Sequence, residues 1–93
     1  MKHIFTKPVS FEGVEYTEIE MNLEELTGKD ISQIKRQWAG KGNFSPVPAA
    51  DMDFQAMAAC HAASLPHEFA DALPAREYTQ LCTAVGNFLM ASD

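Results

Sequence analysis

Cys60, His61, His67 and Cys82, with the distant His3, are the side chains of this sequence suited to metal ligation or nucleophilic catalysis. Thiolates and imidazoles are the usual zinc ligands, and a thiol beside an imidazole is a familiar nucleophile. Their spacing speaks against both uses. Cys60 and His61 are adjacent, so on a helix they diverge by about 100° and do not grip one ion easily. Neither a Cys-x-x-Cys nor a His-x-x-x-His spacing occurs. Cys82 falls on an apolar helical stripe, where cysteine usually serves as a small buried hydrophobe. No family signature of a cysteine enzyme surrounds either thiol. We therefore assign no catalytic, metal-binding or cofactor-binding residue, and expect neither enzyme activity nor a cofactor.

Gly40-Lys41-Gly42 pairs glycines with a lysine, as phosphate-binding loops do. Such a loop follows a strand, whereas this tripeptide follows a helical pattern, so it reads as a helix stop. Lys35 and Arg36 could touch phosphate, but few other bases join them. Trp38 shares a helical stripe with Ile31 and Ile34, which makes it core rather than a platform for stacked bases.

Charge narrows the partners further. The chain of 93 residues carries a net charge of −6. Nucleic acid phosphates and anionic membranes repel such a balance, because both are bound through lysine and arginine. Glu12, Glu15, Glu18, Glu20, Glu24 and Glu25 follow one another without an intervening base, and after Lys41 the only base is Arg76. Solvated faces explain this pattern, and steering towards a basic partner is the functional alternative. The opening Met1-Lys2-His3-Ile4 starts no long apolar run, and no stretch approaches the roughly 20 apolar residues of a membrane span. The expectation is a cytosolic protein with reduced thiols, binding neither nucleic acid nor membrane.

The elements that position these residues follow from periodicity. Residues about 3–22 read as a β-hairpin, with Phe5, Val9 and Phe11 on one face of the first strand and Glu12-Gly13 as the turn. Pro8 donates no ladder hydrogen bond and marks an edge strand. In the return strand Val14 and Tyr16 share one phase while Ile19, Met21 and Leu23 share the other, so either a bulge intervenes or both faces are covered. A first helix, about 28–39, starts at the cap Thr27 with Asp30 three residues on, flanked by Leu26 and Ile31 as a hydrophobic staple. Residues 41–49 are a loop by composition. Alanine-rich residues, about 50–64, form a second helix. Pro66 opens a short third helix, 66–72, and Pro74 a fourth, 74–90, whose Tyr78, Leu81, Cys82, Val85, Phe88 and Leu89 give the strongest periodic signal. The fold class is α+β: one domain over 1–93, an N-terminal hairpin followed by three to four helices.

The second helix carries Met52, Phe54 and Met57 among alanines. Methionine adapts to irregular apolar partners, so these three with Phe69 are candidate partner contacts, and ordinary core is the competing assignment.

The stretch Pro8-Val9-Ser10-Phe11-Glu12-Gly13-Val14-Glu15-Tyr16-Thr17-Glu18-Ile19 resembles the opening hairpin of the Mu-like phage tail assembly chaperone family. Leu26-Thr27-Gly28-Lys29-Asp30-Ile31 is similar to the family's next helix start. Leu65-Pro66, Leu73, Glu77-Tyr78 and Val85-x-x-Phe88-Leu89 are similar to its C-terminal pattern. Glu77 stands where the family often has aspartate, and residues 41–49 match no part of the pattern. The resemblance implies a bacteriophage or prophage protein that binds the tape measure protein, a long and aggregation-prone helical chain, and is displaced as the tail tube assembles. It also implies a location in the cytoplasm of the bacterial host and absence from the finished virion. The alternatives are a small structural head–tail or tail component and, from another class, a small enzyme or metal-binding regulator using Cys60, His61, His67 or Cys82. Self-association is left open.

Overall fold

The computed structural model describes residues 1–91. Strands β1 (Lys2–Phe11) and β2 (Val14–Glu20) form an antiparallel hairpin, followed by α1 (Gly28–Gly40), α2 (Met52–Ala62) and α3 (Ala75–Leu89). Short 3-10 turns occupy Leu23–Glu25, Pro48–Ala50 and His67–Ala72. The expected α+β architecture is therefore present, with the third predicted helix realised as a six-residue 3-10 segment.

Local chemistry accounts for the element ends. Glu12 and Gly13 both have positive φ, 50° and 79°, which is the two-residue turn whose twist matches a hairpin. Thr27 and Asp30 form a reciprocal capping box: Asp30 N–H donates to Thr27 Oγ1 at 3.3 Å and Thr27 N–H to Asp30 Oδ2 at 2.9 Å. These bonds hold the Asp30 carboxyl below its usual range. Gly42 takes φ 89° immediately after α1, and its N–H donates to Ala39 O, which is helix termination. Helix α2 is shorter than periodicity suggested, because Asp51 caps it by accepting from Phe54 N–H at 3.1 Å and Ser64 turns out with φ 58°.

The phase break in β2 comes from a register shift. Lys2, His3 and Ile4 pair with Glu20, Ile19 and Glu18, whereas Val9, Ser10 and Phe11 pair with Tyr16, Glu15 and Val14. Between these blocks β1 has Phe5, Thr6, Lys7 and Pro8 while β2 has only Thr17. The bulge lets Tyr16 and Ile19, opposite in phase, both pack on the core.

Helix α2 lies at the centre. Every residue from Phe54 to Cys60 is buried, as expected of a helix apolar all round. Phe54 meets Trp38 of α1 edge-on at 5.8 Å between centroids. Phe69 sits on the 3-10 segment and collects three rings of the hairpin: Phe5 at 6.2 Å, Phe11 at 5.4 Å and Tyr16 at 5.0 Å. The last two pairs are edge-on, a geometry that adds about 0.5–1.5 kcal/mol each beyond area burial, so Phe69 is the joint between hairpin and helices.

Candidate functional site

The residues singled out for chemistry are dispersed. Cys60 is buried in α2 with its thiol 3.9 Å from His67 O, and Cys82 is buried on α3 with its thiol 3.3 Å from Met52 O. Burial pushes both thiols up to about 11, so neither is activated as a thiolate. Each histidine has different company. His3 Nε2 lies 3.3 Å from Glu77 Oε2, and His61 Nε2 lies 3.4 Å from Asp30 Oδ1. His67, its pKa lowered by burial and by the nearby Lys41, lines a small hollow of about 190 Å³ with Lys41, Asp53 and Tyr78. There Tyr78 Oη donates to Asp53 Oδ1 at 3.0 Å, and burial together with that carboxylate raises the phenol. Among the described residues no group of three or more His, Cys, Asp or Glu could hold a metal ion, and no helix is long and apolar enough to cross a membrane.

The candidate partner contacts divide sharply. Met52 is 43% exposed, whereas Phe54 (2%), Met57 (5%) and Phe69 (0%) are core. The expectation that these last three present surface is corrected. Helix α2 is flanked by α1, by α3 and by the 3-10 segment that carries Phe69, so its stretch from Phe54 to Cys60 is buried and only its first turn, at Met52 and Asp53, is exposed.

Other large apolar side chains are more exposed: Ile4 (69%) and Val14 (51%) on the hairpin, Met90 (49%) just after α3, and Phe44 (87%) and Val47 (53%) in the segment between α1 and α2. That segment is held in place. Asn43 Nδ2 donates to Trp38 O at 3.0 Å, Ser45 Oγ bonds Val47 on both its N–H and its carbonyl at 3.2 Å, and Gln55 Nε2 donates to Ala49 O at 2.7 Å. One oxygen of Asp51 accepts from both Trp38 Nε1 (3.0 Å) and Phe54 N–H, tying the segment's end to α1 and α2. An apolar groove of about 330 Å³ runs beside it, lined by Ile31, Lys35, Pro48, Ala49, Phe54 and Leu89. Ile31 and Lys35 are one helical turn apart, so the groove follows one side of α1. Sequence reasoning passed over this site because residues 41–49 have no periodicity. The available signal was an aromatic and a valine in a Gly/Pro-rich segment with no stripe to join.

No family model, curated protein or solved structure matches this chain.

Proposed function

We propose that this chain is a protein-binding domain without catalytic role, a tail assembly chaperone of the Mu-like phage kind that keeps the tape measure protein soluble during tail assembly. The observation that carries the binding role is the apolar groove of Ile31, Pro48, Ala49 and Leu89, with the exposed Val47 and Met90 next in sequence to its lining residues Pro48 and Leu89. A rigid apolar groove accepts the stripe of an amphipathic helix at i, i+3, i+4 and i+7, and the tape measure protein is rich in such helices. The acidic remainder of the surface keeps the complex soluble. Support for the phage role comes from the ordered resemblances at residues 8–19, 26–31 and 65–89. Residues 41–49, which no part of the family pattern matches, carry the exposed Phe44 and Val47 and the groove-lining Pro48 and Ala49, and would set which partner segment is held.

Co-expression with the tape measure protein of the same genome tests the proposal. The partner should become soluble and co-purify with this chain, and the double variant V47D/M90D, at two exposed positions flanking the groove, should lose both effects while staying folded. A partner that neither binds nor gains solubility sinks the chaperone assignment. If the chain is retained in purified virions, it is a structural tail component instead.

A further inference from the structure

A second groove, of about 380 Å³, lies on the other side of the hairpin junction, where the bulged segment of β1 passes the start of α3. Its walls are Thr6, Pro8, Val9, Ala72 and Pro74, and Lys7 and Arg76 stand on it. The volume is within the roughly 300–1,000 Å³ of ligand-binding clefts. Lys7 and Arg76 are both exposed, and among the described residues neither is in an ion pair. In a chain of net charge −6, with 7 bases against 13 acids, two free cations on one apolar groove are a local inversion of sign. The one carboxylate in the lining, Glu77, is 5% exposed and already engaged: Thr6 Oγ1 donates to Oε1, and His3 Nε2 lies on Oε2, each at 3.3 Å. Its carboxylate is thus held by two side chains of β1.

We propose that this groove binds an acidic, aliphatic-rich peptide segment of a partner protein, its apolar side chains against the exposed Pro8, Ala72 and Pro74 and its carboxylates on Lys7 and Arg76. A guanidinium grips a carboxylate through two parallel hydrogen bonds, and the apolar walls favour leucine-like side chains over the bare phosphates of a nucleic acid. The inference is independent of the phage assignment, since it rests on a groove that shares no lining residue with the first.

The test is an amide NMR titration of the full chain with a capped peptide alternating leucine and glutamate. Its leucine–lysine and leucine–glutamine counterparts and a thymidine dodecamer serve as comparisons. The acidic peptide should shift the amides of Thr6, Lys7, Val9, Arg76 and Glu77, weaken about two- to threefold between 50 and 200 mM salt, and lose these shifts in K7E/R76E. Both substituted side chains are exposed, so the variant's spectrum should otherwise match the wild type. The proposal is overturned if the basic or neutral peptide binds equally, if the shifts map to Ile31 and Leu89 instead, if the dodecamer alone shifts the groove, or if millimolar acidic peptide shifts nothing.

Discussion

The carboxamide of Gln55 lies across the α-carbon of Gly86. A β-carbon on Gly86 would stand 3.0 Å from Gln55 Cδ and closer still to Nε2. Glycine inside a helix is ordinarily about 0.5–1 kcal/mol less stable than alanine. Here its bare α-carbon opens the space through which Gln55, buried between α2 and α3, reaches Ala49 O. The anchoring of the 41–49 segment at Ala49 thus depends on a residue in the last turn of α3.

Gly86→Ala should therefore lower stability, by about 1–3 kcal/mol for overpacking of a filled site, despite the gain in helix propensity. In a Gln55→Ala background the same change should be neutral or stabilising. Chemical denaturation of the four proteins gives the coupling directly, and additive effects would show that the two residues do not compete for space.

Asp51→Ala should remove the cap of α2 and the acceptor of the Trp38 indole together. Losing the cap costs about 0.5–2 kcal/mol, and an orphaned buried donor adds about 1–3. Asp51→Asn keeps an acceptor oxygen and should recover most of the loss. Denaturation followed by Trp38 fluorescence checks both, and equal losses in the two variants would mean that the carboxylate charge, not the acceptor, matters.

Phe69 and Phe44 should separate cleanly. Phe69→Ala empties the joint of three hairpin rings and should cost about 3–5 kcal/mol, a large part of the stability of so small a domain. Phe44→Ser should leave the melting curve within about 0.5 kcal/mol of wild type, since its ring is in solvent. Thermal melts with hairpin amide exchange read the difference. A stable Phe69→Ala protein would remove Phe69 from the centre of the fold.

His67 should make the fold acid-sensitive. Burial disfavours its charged form, so its folded pKa is lowered from 6.5. The folded state then binds fewer protons than the unfolded chain. Its contribution is complete above 6.5 and is lost as pH falls from 6.5 through the lowered folded value. The stability advantage of wild type over His67→Gln should therefore shrink between pH 7.5 and 5. An advantage that grows on acidification would mean that the protonated ring is the stabilised form.

Features governed by neighbours in the chain were legible from residue order. The Glu12-Gly13 turn needs positive φ, the Thr27/Asp30 box spans three residues, and the Leu81, Cys82, Val85 stripe has one apolar side that must turn inward. Gly42 and Pro74 act on the backbone beside them. What lay beyond local chemistry was the placement of surfaces without a preferred side. Helix α2 is apolar all round, so periodicity could not say whether Phe54 and Met57 meet a partner or the core, and packing of α1, α3 and the 3-10 segment around it decided for the core. The register shift that brings both Tyr16 and Ile19 onto the core required the opposite strand's extra residues. The two grooves exist only because segments far apart in sequence meet, Ile31 with Leu89 in one and Lys7 with Arg76 in the other. Dihedral preferences and side-chain periodicity act over a few residues and are written in the order of the chain, whereas burial is shared among elements and is settled only when all of them have packed.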